Sequence, residues 1–353
     1  MAVAVQPRRE SATHEEVVSV RGRRSGTPMV VAVHSTALGP ALGGVRMWSY
    51  PDLADAERDA LRLAEGMTLK AAAAGLDLGG GKGVICAPDG GFDPAGRRVA
   101  LLEFGDLVEG FGGRYITAED VGVAPADMTV IAERTEHVTG LPPERGGSGD
   151  PSPVTAIGVE AAMLACAEAR WGERDLAGRR VIVIGAGHVG GELARLLHER
   201  GCDLHLSDID PAKRRLAAEL DAGWIAPERA AGGECDVLAP CALGGVVTAE
   251  TLPALRCEVI CGAANNQLAD DSLAAALAER GILYAPDFIA NVGGLINVYA
   301  EIHGYDAAAA LRRARGIEAT MSAVFAEAAR QPTTPLAAAR ALAARRLRAA
   351  VAD

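Results

Sequence analysis

Two lysines, Lys70 and Lys82, stand twelve residues apart and bound the segment AAAAGLDLGGG. Lys70 can hold a substrate carboxylate as a point charge, with the backbone N–H groups of Gly43 and Gly44 as further donors. Lys82 is expected near that positive charge in a partly desolvated cleft, and both effects lower a lysine pKa toward the range of a useful base. Asp120, in YITAEDVG, follows a predicted strand, a common station for a catalytic side chain, although the same carboxylate could cap a helix.

A second group of residues suits a dinucleotide. Gly185-Ala186-Gly187-His188-Val189-Gly190 directly follows an apolar strand and opens a helix, the context that the G-x-G-x-x-G fingerprint requires. Gly185 permits the tight turn, Gly187 lets the backbone approach a pyrophosphate, and Gly190 allows close helix packing, with the helix N-terminus toward the phosphate charge. Asp208 ends the next predicted strand, where a carboxylate can accept hydrogen bonds from ribose hydroxyls, so NAD is expected over NADP. The bland alternative for Asp208 is a cap on the following turn. Asn265 and Asn266 follow a short apolar run ending at Ile260, where an α/β sheet presents its ligand crevice, and a plain turn fits them equally well.

Other chemistries fail on the residues. GGGK (79–82) lacks the leading glycine and the trailing Ser or Thr of a P-loop, and GGSG (146–149) ends in Asp150 where a hydrolase elbow needs glycine. The seven cysteines show no C-x-x-C pair and the seven histidines no H-x-x-x-H pair, so no metal site is expected and the thiols read as reduced. A net charge of -11 argues against nucleic acid, and Lys213, Arg214 and Arg215 read as a solvated helix face. No apolar stretch approaches the ~18 residues that span a bilayer and no signal peptide opens the chain, which points to the cytoplasm.

Elements must position these groups. Residues 28–35 read as a strand, followed by a glycine-rich turn at 39–44 and a helix over 52–68. Residues 79–81 read as a glycine turn, with strands around 83–87 and 114–117 and a helix near 99–111. Proline, glycine and small polar residues crowd 141–153, a composition that suits a hinge. Beyond it lie a helix over 153–170, a strand at 180–184, a helix at 189–200, a strand at 203–207 and a helix from 211. Later runs at 237–239, 259–260 and 282–284 would extend a parallel sheet. The expected fold is thus α/β: a mixed-sheet substrate and oligomerisation domain over 1–146, a Rossmann domain over 147–324 and a cleft between them. The Ala- and Arg-rich helices of 325–353 are expected to pack back on the first domain.

The segments LGPALGGVRMW, GMTLKAAAAGLDLGGGKGVI, GGRYITAEDVG, GSGDPSPVTAIGV, APCALGG, GAANNQLAD, GILYAPDF and NVGGLINV run in order from about residue 30 to 305. They resemble the leucine, valine and phenylalanine dehydrogenases, with the leucine and valine enzymes nearest. The resemblance implies Lys70 as the carboxylate-binding lysine, Lys82 as the catalytic lysine and Asp120 as the catalytic carboxylate. It also implies Asn266 as a substrate contact, Thr155 near the nicotinamide carboxamide and Asn291 as a further cofactor contact. The implied activity is reversible NAD-dependent deamination of an L-amino acid to its 2-oxo acid and ammonia, by a homo-oligomer of two or eight subunits. Hydride leaves the α-carbon, and water then attacks the resulting iminium. Asp120 would take a proton from the substrate ammonium, and Lys82 would activate the water.

By the same resemblance Leu42, Ala118, Leu295 and Val298 surround the substrate side chain, an apolar lining that excludes a carboxylate side chain by its desolvation cost. Aromatic-specific relatives are smaller at the positions of Leu42 and Leu295, so leucine, valine or isoleucine is expected. Two departures stand out. Val123 and Ala124 occupy positions where relatives commonly carry threonine, and Leu295 replaces a valine, which narrows the pocket. The alternatives are a phenylalanine or tryptophan dehydrogenase and a catalytically silent NAD-binding regulator.

Overall fold

The structure, a computed structural model, describes residues 4–5, 13–302 and 304–352. The chain divides into two compact units: Met1–Gly149, Val298–Asp306 and Ala343–Asp353 form the first, and Asp150–Asn297 with Ala307–Leu342 the second.

The first unit holds β1 (Ala4–Val5), β2 (Glu16–Arg21), β3 (Pro28–Ser35), β4 (Ala41–Trp48), α1 (Leu53–Ala73), β5 (Gly79–Cys86), α2 (Pro94–Glu109), β6 (Tyr115–Glu119) and α3 (Pro125–Ile131). Its sheet runs β1-β2-β3-β5-β4-β6, antiparallel from β1 to β5 and parallel from β5 through β4 to β6. One sheet face carries a core of Met29, Val31, Val45 and Ile85 against Phe104, Leu101 and Tyr115. On the other, Val30, Ala32 and Val84 meet Ala56, Ala60 and Ala64, which recur every four residues along α1. Asp52 caps α1 by accepting the Asp55 N–H at 2.8 Å.

Of the first glycine turn expected here only Gly39 and Pro40 lie in a bend, the rest being strand, and the second is strand throughout. Gly43 and Gly44 lie inside β4, and Gly79, Gly80, Gly81 and Gly83 make half of the eight residues of β5. Close approach explains the composition: a Cβ on Gly80 would come within 2.1 Å of the Thr68 backbone nitrogen of α1. Glycine is therefore needed for α1 to lie this close to the sheet, and tertiary packing overrides its turn propensity. β2 was not among the expected strands either, although its buried Val17, Val18 and Val20 are β-branched.

The second unit starts with α4 (Ser152–Trp171) and continues through β7 (Arg180–Ile184), α5 (His188–Glu199), β8 (Asp203–Ser207), α6 (Arg214–Glu219), β9 (Gly223–Trp224), α7 (Pro227–Ala230), β10 (Val237–Pro240), β11 (Val259–Ile260), α8 (Leu273–Glu279), β12 (Leu283–Tyr284) and α9 (Asp287–Ala290). α10 (Gly293–Ile302), α11 (Ala307–Arg315), α12 (Ile317–Arg330) and α13 (Pro335–Ala352) complete the α-helices among the described residues. All pairings in this sheet are parallel, in the order β12-β11-β10-β7-β8-β9. Counted from β7, that is the doubly wound order 3-2-1-4-5-6 reversed, with its switch point between β7 and β10.

The tail departs from expectation. Within residues 325–353 only the stretch from Ala343 belongs to the first unit; α12 packs on α4, and Leu336 joins the core of the second sheet. Within the expected hinge, the Glu301 carboxylate accepts the N–H groups of Gly140 and Ser148, each at 2.9 Å, and the Ser148 hydroxyl.

Candidate active site

Lys82 and Asp120, 38 residues apart in sequence, meet in the first unit with Nζ 2.7 Å from Oδ2. Lys82 is on β5 and only 5% exposed; Asp120 directly follows β6, separated from β5 by β4. Gly44 of β4 permits the approach, since a Cβ there would meet the Glu119 carbonyl at 2.4 Å and the Asp120 Cβ at 2.9 Å. The register of β4 on β5 runs through Ala41↔Gly79 and Leu42↔Gly80 and resumes at Val45↔Gly83, so Gly43 and Gly44 sit in a gap of that ladder. They pair instead with Thr117 and Ala118 of β6. The buried Tyr115 hydroxyl donates to the Gly43 carbonyl at 2.6 Å and fixes this part of β4.

A third charged residue, one that sequence reasoning did not single out, joins the pair. Arg46 Nε donates to Asp120 Oδ2 at 3.0 Å, and its Nη1 donates to Asp59 Oδ2 at 2.9 Å. Asp59, on α1, also accepts from the Tyr50 hydroxyl at 2.7 Å and from Arg62 at 2.8 Å. Burial lowers the Lys82 ammonium from the ordinary lysine value against the pull of Asp120, and Arg46 adds to the lowering. Burial acts to raise the Asp120 carboxyl, but Lys82 and Arg46 outweigh it and hold the group below the usual carboxylate range. The expected cation beside Lys82 was Lys70; the structure adds Arg46.

Lys70 lies in the last turn of α1, half-buried. Leu42 and Ala118 are buried on the adjacent strands β4 and β6, and Leu295 and Val298 stand three residues apart on α10. Asn266 is exposed after β11, with its backbone at a φ of 51°.

The residues of the second unit fit a dinucleotide. Gly185 and Gly187 lie between β7 and α5, beside the switch point; a Cβ on Gly187 would meet nothing within 4 Å, whereas one on Gly190 would strike the Gly185 carbonyl at 1.8 Å. The first glycine thus leaves room outside and the second is needed for packing. Asp208 ties this loop down: its Oδ2 accepts the Ala186 N–H at 2.7 Å and its Oδ1 the Asp210 N–H at 2.8 Å. The carboxylate therefore does cap the turn after β8, while retaining lone pairs for further donors. His188 is exposed with Nδ1 3.9 Å from Asp150, and Val189 is half-buried in the first turn of α5.

Thr155 on α4 donates to the Pro151 carbonyl at 2.9 Å and packs beside Gly293 and Gly294. Asn291 donates through Nδ2 to Asn265 Oδ1 at 2.9 Å, and its own Oδ1 is buried with no partner among the described residues. A buried amide oxygen left in that state is costly unless a ligand or water donates to it. No group of three or more His, Cys, Asp or Glu side chains among the described residues could hold a metal, and all seven cysteines are free thiols. No described helix is long and apolar enough to cross a membrane.

Comparison with known proteins identifies the family. A family model described as "Glu/Leu/Phe/Val dehydrogenase, dimerisation domain" matches residues 7–137, and "Glutamate/Leucine/Phenylalanine/Valine dehydrogenase" matches 204–352. A leucine dehydrogenase of Geobacillus stearothermophilus is 45% identical over 91% of this chain and 87% of its own. A valine dehydrogenase of Streptomyces coelicolor is 43% identical over 95% and 92%. The crystal structure of L-tryptophan dehydrogenase from Nostoc punctiforme superposes with a TM-score of 0.86 at 38% identity, covering 97% of this chain and 98% of that one. A doubly wound sheet with a glycine-rich first turn, a buried lysine on a carboxylate and relatives alike over nine-tenths of the chain lead to one assignment: the protein is an oxidoreductase of the glutamate/leucine/phenylalanine/valine dehydrogenase family.

Proposed function

We propose that this enzyme oxidatively deaminates a branched-chain aliphatic L-amino acid with NAD, releasing the 2-oxo acid and ammonia, and runs the reverse amination. The observation that carries the reading is the 2.7 Å contact between the buried Lys82 and Asp120. Bound NAD supplies the acceptor for the hydride that leaves the substrate α-carbon. Lys70 holds the substrate carboxylate with the backbone of Gly43 and Gly44. Asp120 takes a proton from the substrate ammonium. Once the carbon–nitrogen bond is an iminium, Lys82 takes a proton from the attacking water, which burial favours by lowering its pKa. Asn266 orients the substrate.

On the cofactor side we assign Gly185, Gly187, His188, Val189 and Gly190 to the pyrophosphate turn, Asp208 to the ribose, and Thr155 and Asn291 to the carboxamide end. A carboxylate at the end of β8 favours NAD, because it repels a 2′-phosphate. Leu42, Ala118, Leu295 and Val298 set the side-chain preference toward leucine, valine and isoleucine. The dimerisation-domain match supports a homo-oligomer.

The test is NADH formation with a panel of L-amino acids, run with NAD and NADP in parallel. Branched-chain substrates with NAD should give the highest kcat/KM. Turnover confined to tryptophan or phenylalanine would favour the second reading, which the superposition on L-tryptophan dehydrogenase keeps in view. No turnover of any amino acid, in either direction, would overturn the enzyme reading.

A further inference from the structure

Asp120 carries two carboxylate oxygens, and the protein treats them differently. Oδ2 accepts from both Lys82 Nζ at 2.7 Å and Arg46 Nε at 3.0 Å, while among the described residues no donor reaches Oδ1. Arg46 cannot swing freely, because its Nη1 is held by Asp59 at 2.9 Å, and Asp59 is held in turn by Tyr50 and Arg62. Arg46 and Asp59 are both shielded, with side chains 22% and 17% exposed. A planar guanidinium bridging two carboxylates fixes angles as well as distances, which a lysine ammonium does not.

We propose, resting on the deamination reading above, that Arg46 is a positioning residue: anchored by Asp59, it holds Asp120 Oδ2 beside Lys82 so that Oδ1 is the oxygen that takes the substrate proton. The proton moves from the substrate nitrogen to Oδ1, and Oδ2 keeps its contacts with Lys82 Nζ and Arg46 Nε. Every charged or titratable group facing Asp120 enters this balance: Lys82 from β5, Arg46 from β4 and Tyr115 from β6, with Asp59 and Arg62 of α1 and Tyr50 behind Arg46. Arg46 favours the ionised carboxylate, and the same cation helps lower Lys82. Its removal therefore moves both titrations toward higher pH.

The test compares the parent enzyme with Arg46→Met, Arg46→Lys and Asp59→Asn. Two readouts are followed: the pH profile of kcat/KM, and the carboxyl 13C titration of Asp120 in protein labelled at aspartate, assigned by loss of the signal in Asp120→Asn. Arg46→Met should lower kcat/KM by roughly 10–100-fold, the scale of a misplaced catalytic group. Its acid limb and the Asp120 midpoint should both shift to higher pH. Arg46→Lys should bring the midpoint back toward the parent value without restoring the rate, because charge returns and the bridge does not. Asp59→Asn, which keeps Arg46 but frees its far end, should lower the rate less than Arg46→Met and carries the test if that variant does not fold. An Asp120 midpoint unmoved in Arg46→Met, or rates within threefold of parent for the folded variants, would overturn the proposal. A shifted midpoint in a protein whose parent oxidises no amino acid would overturn the deamination reading and leave the carboxylate placement standing.

Discussion

Arg346, on α13, donates through Nη1 to the Leu76 carbonyl at 2.7 Å, just past the end of α1. The same nitrogen reaches the Ala71 and Ala72 carbonyls at 3.3 Å, and Nη2 pairs with Asp77 at 2.7 Å. The last carbonyls of a helix lack intrahelical partners, and a cation at that end also complements the helix dipole. α1 ends in this way three residues after Lys70, at Ala73. Arg346→Ala should cost ~1.5–3 kcal/mol in urea unfolding, the range for hydrogen bonds to a charged group. It should also raise KM for the amino acid more than it lowers kcat, because Lys70 loses its fixed frame. A KM equal to parent would separate the clamp from substrate binding.

Lys82→Ala removes the proposed base. Its kcat should fall by ~10²–10⁴, the usual contribution of a positioned base, with the fold intact by circular dichroism. Retention of more than about a tenth of the parent kcat would assign the water-activating role elsewhere.

Asp120 ties stability to pH with a definite sign. Its folded pKa lies below the unfolded value near 3.8, so its contribution is complete above that value and is lost as pH falls through the lower folded one. Lys82 acts in the other direction. Burial lowers its folded pKa from 10.5, so its cost to stability eases as pH rises through the folded value toward that of the unfolded chain. Asp120→Asn should destabilise by about 3 kcal/mol near neutrality, because a buried ammonium loses its partner, and the difference from parent should shrink toward pH 3. Denaturant unfolding at a series of pH values measures it. A constant gap across that range would contradict the linkage.

Gly80→Ala tests the packing of α1. The new Cβ would meet the Thr68 nitrogen at 2.1 Å, and this is backbone that cannot turn aside as a side chain can. The helix must shift, at a cost of at least ~2 kcal/mol on the scale of overpacked cores, carrying Lys70 with it. A parent-like midpoint in urea would show that the sheet accommodates the methyl group.

Leu42→Ala shortens a buried side chain of β4 at the position paired with Gly80 and Ile116. The ratio of kcat/KM for phenylalanine over leucine should rise by ~10-fold or more, the scale on which a few methylenes are discriminated. An unchanged ratio would remove Leu42 from the pocket.

The second unit was the more legible in sequence, for a physical reason. Its strands at 180–184 and 203–207 are short apolar runs with helices between them, so periodicity and turn residues agree. In β4 and β5 these signals conflict, since glycine reads as a turn while the close approach of α1 and of Asp120 demands it inside a strand. Lys82 stood out by its spacing from Lys70, and the roles expected of Lys82 and Asp120 came from family likeness. Arg46, Asp59 and Tyr50 were not: Arg46 stands 74 residues from Asp120, and an acid on the face of α1 looks like an ordinary solvated charge until the sheet is built. Arg46 lies within LGPALGGVRMW and Tyr50 just beyond it, but nothing in that spacing says that the arginine bridges two carboxylates.

Because the end of α1 is clamped from residues 343–353, the order of synthesis matters for the first unit. Its sheet leaves the ribosome early, whereas the guanidinium that closes its longest helix emerges only after the whole doubly wound unit has been made. A chain shortened before Arg346 therefore lacks the guanidinium that reaches the Leu76 carbonyl and the Asp77 carboxylate past the end of α1.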